Sequence, residues 1–169
     1  MERAREFFAQ SVRFPAGAEY ADALQKLGLD PDVMCWIYIS AEDRIELAIV
    51  SSMVDRVGSL PIYDLLFKAY DASALPQEID PFEVSLYSPN TRMGVDLLNS
   101  VKVTEDGMLP NDGSYPPAHV TRAWINIGIM EPMVVPGLGV YRVKHTIRNA
   151  DQDRARWQTF QRNVEALAA

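Results

Sequence analysis

Apolar and polar positions alternate along this chain with two periods, and the switches between them lay out the elements. AEYADALQKLG puts Tyr20, Leu24 and Leu27 at i, i+4 and i+7 and stops at Gly28, which predicts a helix. Before it, residues 2–13 carry Phe7 and Phe8 and read as a short helix or a loosely held arm, separated from the Tyr20 helix by breaks at Pro15 and Gly17. Residues 1–17 are therefore set apart from a globular part, 18–169. VMCWIYIS at 33–40 is β-branched and aromatic, a strand, and AEDR turns the chain. IELAIVSS at 45–52 is its partner, with Ile45, Leu47 and Ile49 on one face and Glu46, Ala48 and Val50 on the other. Apolar residues on both faces predict a central strand covered from both sides.

MVDRVG reads as a loop, and Ser59 as the N-cap of a helix with Pro61 in its first turn, where the missing N–H costs nothing. The helix runs to about Ala72 on a buried stripe of Ile62, Leu65, Leu66, Ala69 and Tyr70. FEVSLYS sets Phe82, Val84 and Leu86 against Glu83, Ser85 and Tyr87, a half-buried strand. PNTRMG is a turn, and VDLLNSVKV fits a short helix or an edge strand. Residues 104–117 hold three prolines and two glycines and read as a long loop, of a kind often functional or mobile. AHVTRAWINIGI at 118–129 and GVYRVKHTIRN at 139–149 both alternate and are expected to form one hairpin. Its second strand turns Tyr141, Val143, His145 and Ile147 inward, and Arg142, Lys144, Thr146 and Arg148 outward. The chain closes on a helix starting near Asp151 or Asp153, with Ala155, Trp157, Phe160, Val164 and Leu167 on its apolar face. The expected fold is α+β: one domain, a mostly antiparallel sheet of about five strands, and helices packed on it.

Composition narrows the function classes. A chain of 169 residues has the length of one domain and can bury a sizeable core. The net charge of −7 argues against nucleic acid and anionic membrane as partners, because both reward excess Lys and Arg. No apolar run reaches the roughly 20 residues of a membrane-spanning helix, and the first residues lack the apolar core of a signal peptide. One cysteine, Cys35, excludes an intramolecular disulfide and sits in an apolar strand as a core residue. These features lead us to expect a cytoplasmic protein.

The usual catalytic and cofactor motifs are absent. His119 and His145 are the two histidines, and neither lies in a zinc-binding spacing, so no metal site and no cofactor are expected. No nucleophile elbow, P-loop or dinucleotide fingerprint occurs, and GLG at 137–139 lies between strands rather than at a helix start. One constellation points to chemistry. Gly58 and Ser59 open a helix, and Glu78 and Asp80 stand one residue apart before a strand. This resembles the nucleotidyltransferase pattern, which implies carboxylates holding Mg²⁺ against a nucleoside triphosphate and a helix N-terminus facing its phosphates. The chain departs from that pattern in its long helical spacer and in Pro81 after Asp80.

The remaining feature is IMEPMVVPGLGVY. Pro132, Met133, Val134, Val135 and Pro136 are expected at a hairpin tip, 132–137, where three apolar side chains between two prolines either cap the core or dock into another chain. Arg142 and Lys144 form a basic ladder on the outer strand face, and Trp124 beside it adds an interface-prone aromatic. The favoured reading is a non-catalytic protein-binding or assembly module, with a protein partner or further copies of itself. The alternative is a Mg-nucleotide enzyme built on Ser59, Glu78 and Asp80.

Overall fold

The computed structural model describes residues 13–39, 41–100, 123–127, 131–135, 139–144 and 149–168. The first helix, α1, is Arg13–Leu27, and so begins ahead of the expected break. Pro15 falls in its first turn, where a helix needs no donor. Gly17 is buried against Tyr141, whose ring would lie 2.3 Å from a Cβ placed there. Residues 13–17 thus belong to the packed helix, and the rest of the proposed arm, 1–12, lies outside the described residues.

Strands β1 (Val33–Ile39) and β2 (Arg44–Val50) form an antiparallel pair along their whole length. Tyr38 donates its hydroxyl to Asp43 across the turn, where Asp43 takes the positive φ of 45°. After β2 the segment expected to be a loop is instead a short helix, α2 (Met53–Val57), which buries Met53. Gly58, at φ 80°, separates it from α3 (Ser59–Asp71). Ser59 is the first residue of α3 rather than its side-chain cap. Ile62, Leu65, Leu66 and Ala69 are the buried stripe of α3, and Tyr70 is half-buried at its side.

The next element differs from the alternation read in the sequence. Pro81–Glu83 form a 3-10 turn, and β3 is only Val84–Tyr87. Asp80 caps the turn by accepting from Phe82 N at 2.8 Å, and Pro81 sits just inside it, as a helix start favours. A 3-10 turn has a period near three, so Phe82 leaves the face that Val84 occupies and points to solvent. β3 runs parallel to β2, joined to it through α2 and α3.

The chain then enters α4 (Arg92–Ser100), resolving the ambiguity of that stretch in favour of a helix. Thr91 holds its start: the hydroxyl donates to Ser88 O at 2.8 Å and accepts from Gly94 N. The expected loop at 104–117 lies outside the described residues, as do His119 and His145. β4 (Ala123–Ile127), β5 (Glu131–Val135) and β6 (Val140–Val143) come next, then α5 (Ala150–Glu165). Asn149 caps α5 in a capping box with Gln152, so the cap precedes Asp151 and Asp153.

The described strands join one sheet in the order β3-β2-β1-β5-β4, with β6 also on β1. The molecule is α+β, and the sheet is mixed because β2 and β3 are parallel. The hairpin expected between β4 and β6 is not formed. β4 pairs β5, with Ile127 opposite Glu131, and β6 pairs β1. EPMVV does not alternate and carries Pro132, so periodicity favours β6, while the short connection at 128–130 makes β5 the nearer partner. Of the expected tip, 132–137, residues 132–135 are consequently strand, and Pro136 and Gly137 lie outside the described residues. In the ladder Val134 is paired with Tyr38 on one side and Trp124 on the other.

Two apolar clusters lie on opposite faces of the sheet. Met34, Trp36, Leu47 and Ile49 pack with Tyr20 and Leu24 of α1, Ile62 and Leu66 of α3, and Phe160 and Val164 of α5. Val33, Cys35, Ile37, Ala48 and Val50 pack with Leu97 of α4. Trp157 flanks the first cluster, but Ala155 and Leu167 of the expected α5 face are exposed, and Asp153 is buried instead. No helix among the described residues is long and apolar enough to cross a membrane.

Gly94 tests the join between β3 and α4. A Cβ there would stand 1.9 Å from the backbone oxygen of Ser88, which no side-chain movement relieves. Gly94→Ala is expected to destabilise the fold by about 1–3 kcal/mol despite the better helix propensity of alanine, read as a lower urea midpoint at unchanged slope.

Candidate functional site

Three polar groups join the elements: two link helices to the sheet or its loops, and one links two strands. The first centres on Asp30, just before β1. Its carboxylate accepts from Arg156 of α5 at 2.8 Å, from Lys144 at 3.2 Å and from Arg142 of β6. The ladder expected to face outward as Arg142 and Lys144 is therefore engaged by a half-buried carboxylate. Burial alone pushes the Asp30 carboxyl up, but the hydrogen bonds and charges of Arg156, Arg142 and Lys144 outweigh it and hold the group below the usual carboxylate range.

The second group lies where β2 ends. Asp153, 1% exposed, accepts from Ser52 Oγ at 3.1 Å and from Arg56 Nε at 3.4 Å. Asp55 accepts from Ser88 and, at 2.8 Å, from Asn90 Nδ2. Carboxyl ends of parallel strands are where α/β sheets place ligands, but these carboxylates spend their oxygens on neighbouring helices and loops. Among the described residues no group of three or more His, Cys, Asp or Glu is placed to hold a metal ion.

The third group is on the opposite sheet face. Glu46, 1% exposed, accepts from Tyr87 and from Ser85 at 2.8 Å, and pairs with Arg44 at 2.8 Å. Burial and the adjacent Glu46 push the Tyr87 phenol above its ordinary range. Cys35 lies in the same face, and burial, followed by the charge of Glu46, pushes its thiol up to about 12. It is a core residue and not a nucleophile.

The nucleotide-site candidates are not brought together. Glu78 and Asp80 are exposed, and Asp80 is engaged as a cap. The turn that begins at Asp80 meets α3 at Phe67, eight residues from Ser59, or about 12 Å along the helix axis. Tyr63, one turn after Ser59, contacts β3 further on, at Val84 and Leu86, so Ser59 lies at the other end of α3 from the two carboxylates.

Among the described residues the most exposed large apolar side chains lie on this turn and at the start of α3. Phe82 is 85% exposed, and its ring meets Phe67 edge-on with centroids 5.2 Å apart. Leu60 is 79% exposed on the outer side of α3, where Leu60, Asp64, Phe67 and Asp71 fall at i, i+4, i+7 and i+11. The surface is firmly built. The Tyr63 hydroxyl donates to Val84 O at 3.0 Å and accepts from Leu86 N at 3.1 Å, closing the outer edge of β3. Gln77 donates to the carbonyls of Tyr70 and Leu75, and Glu83 pairs with Arg13 of α1.

Sequence reasoning missed this surface because alternation placed Phe82 inside. The available signals were the Asp80-Pro81 cap and the apolar residues Leu60 and Phe67 left over once the buried stripe of α3 was assigned. Comparison of the chain with family models, with curated proteins and with solved structures gave no match in any of the three.

Two outcomes are expected. The depressed Asp30 pKa gives stability that is present above the unfolded value near about 4 and is lost as pH falls through the folded value. Asp30→Asn should cost about 1–2 kcal/mol at neutral pH, a figure discounted for the partly exposed cations, and wild type and variant should converge in denaturant melts as the medium becomes acidic. Cys35 should stay unmodified by a thiol-specific disulfide reagent in the native protein and react fully once unfolded; fast labelling of the native state would show that the strand is not closed.

Proposed function

We propose that the protein is a non-catalytic protein-binding or assembly module, and that it works through the surface formed by Leu60, Phe67 and Phe82. One observation carries the reading: a phenylalanine 85% exposed, fixed on a capped turn against a second phenylalanine. Covering a side chain such as Phe82 or Leu60 gains about 1.5–3 kcal/mol each. A turn already held by Asp80 and Pro81 loses little further freedom on binding, so more of that gain appears as affinity. Aromatic residues at the centre of a small apolar surface with a polar rim are the usual composition of an interface.

This reading keeps the class of function expected from the sequence and moves its location. In residues 132–135 the backbone is committed to β5, between β1 and β4, while Arg142 and Lys144 are engaged with Asp30.

The test uses the full chain and a Leu60→Ser, Phe82→Ser double variant. Both positions are exposed, so stability should change by no more than about 0.5 kcal/mol each. Sedimentation and capture from native extract should show self-association or a bound protein with wild type, and its loss with the variant. A wild type that stays monomeric and captures the same proteins as the variant would remove the proposal.

A further inference from the structure

The apolar surface is interleaved with carboxylates in a regular way. On the outer side of α3 the order is Leu60, Asp64, Phe67, Asp71, so an acid comes after each apolar residue at about one turn. Phe82 stands between Asp80 and Glu83 in the chain, and Glu78 precedes them. Asp64, Asp71, Glu78 and Asp80 are all exposed, and Glu83 is half-buried. Two cations here are each held by an acid of the same surface: Lys68 by Asp64 at 2.8 Å, and Arg13 by Glu83. The surface therefore alternates apolar groups and carboxylates, with more acids than cations, on a chain whose net charge is −7.

Resting on the proposed docking role of this surface, we infer that the partner presents a basic amphipathic helix, with apolar anchors separated by Lys or Arg. Leu60 and Phe67 are about 10 Å apart along α3, the spacing of residues i and i+7 on a facing helix. Phe82 beside Phe67 widens the apolar strip at one end, so the anchor placed there has more apolar area to cover. A basic helix would set its cations opposite Asp64, Asp71, Glu78 and Asp80. An acidic one with the same anchors would meet like charge at each of those positions. Strand addition is a poor alternative, since the nearby edge of β3 is already closed by Tyr63 at Val84 O and Leu86 N.

The experiment measures fluorescence anisotropy of two labelled synthetic helical peptides of about 18 residues against the full chain. They share the same Leu and Trp anchors at i, i+3 and i+7. One carries Lys and Arg between them, and the other Glu. The basic peptide should bind at least about tenfold more tightly, and Phe82→Ser should weaken it by about tenfold or more. An Asp71→Asn, Glu78→Gln variant should weaken it about threefold to tenfold and flatten its dependence on salt.

Three results would overturn the inference. Equal binding of both peptides, still sensitive to Phe82→Ser, would leave the apolar surface as a docking site and remove the basic partner. Binding of the basic peptide that ignores Phe82→Ser would reduce the effect to diffuse attraction by an acidic chain. Self-association of the full chain through Leu60 and Phe82 that neither peptide displaces would make a second copy the occupant. Failure of the docking surface itself is read separately, in the sedimentation and capture experiment.

Discussion

Strand β1 has to be dry on both faces and hydrogen-bonded along both edges, and the molecule is organised around that requirement. Met34 and Trp36 face one apolar cluster, and Val33, Cys35 and Ile37 the other. On one edge β2 pairs with every residue of β1. On the other edge two separate strands share the work: β5 opposite Tyr38 and Ile39, and β6 opposite Val33 to Cys35. From Val134 to Val140 the chain advances six residues while its partner positions on β1 advance only three, from Tyr38 to Cys35. β5 and β6 thus act as one interrupted strand with extra chain between them. A buried backbone leaves no donor or acceptor to spare, which is why a stretch of sequence rich in Pro and Gly is still held to the ladder on either side.

Charge fastens the helical layer to this sheet from within the chain. Asp30 collects side chains from β6 and α5, and Asp153 on the buried side of α5 collects Ser52 and Arg56 from the α2 region. Both anchors lie at the junction of sheet and helices, and neither is free for a ligand. The surface proposed for binding has the opposite character. Its apolar groups face water, and most of its carboxylates alternate with them without being buried. Internal charge and external charge therefore serve different ends in one acidic chain.

Local pattern sufficed for elements whose environment is set by their own residues. β1 and β2 are β-branched and apolar, and α3 has an unbroken buried stripe, so each was legible. Two kinds of information were not local. Which strands pair was invisible, because β5, with Pro132 and no alternation, gives no local strand signal, while β4 and β6 both do. The inward position of Asp153 was equally invisible, since Ser52 and Arg56, which satisfy it, lie about a hundred positions earlier. Phe82 is a third case, in which a local cap at Asp80 overrode a local alternation, and the shorter-range rule prevailed.

The position of Asp30 in the chain also bears on how the protein is made. β1, β2, α3 and β3 all precede residue 88, whereas Arg142, Lys144 and Arg156 come in the last thirty or so residues. During synthesis the early strands can assemble while Asp30 still faces water and one edge of β1 remains open. An open strand edge is a template for pairing with a neighbouring chain. β6 covers the Val33–Cys35 part of that edge and, with α5, neutralises the carboxylate, so a chain truncated before β6 would keep β5 on Tyr38 and Ile39 but leave the rest of the edge open to a neighbouring chain.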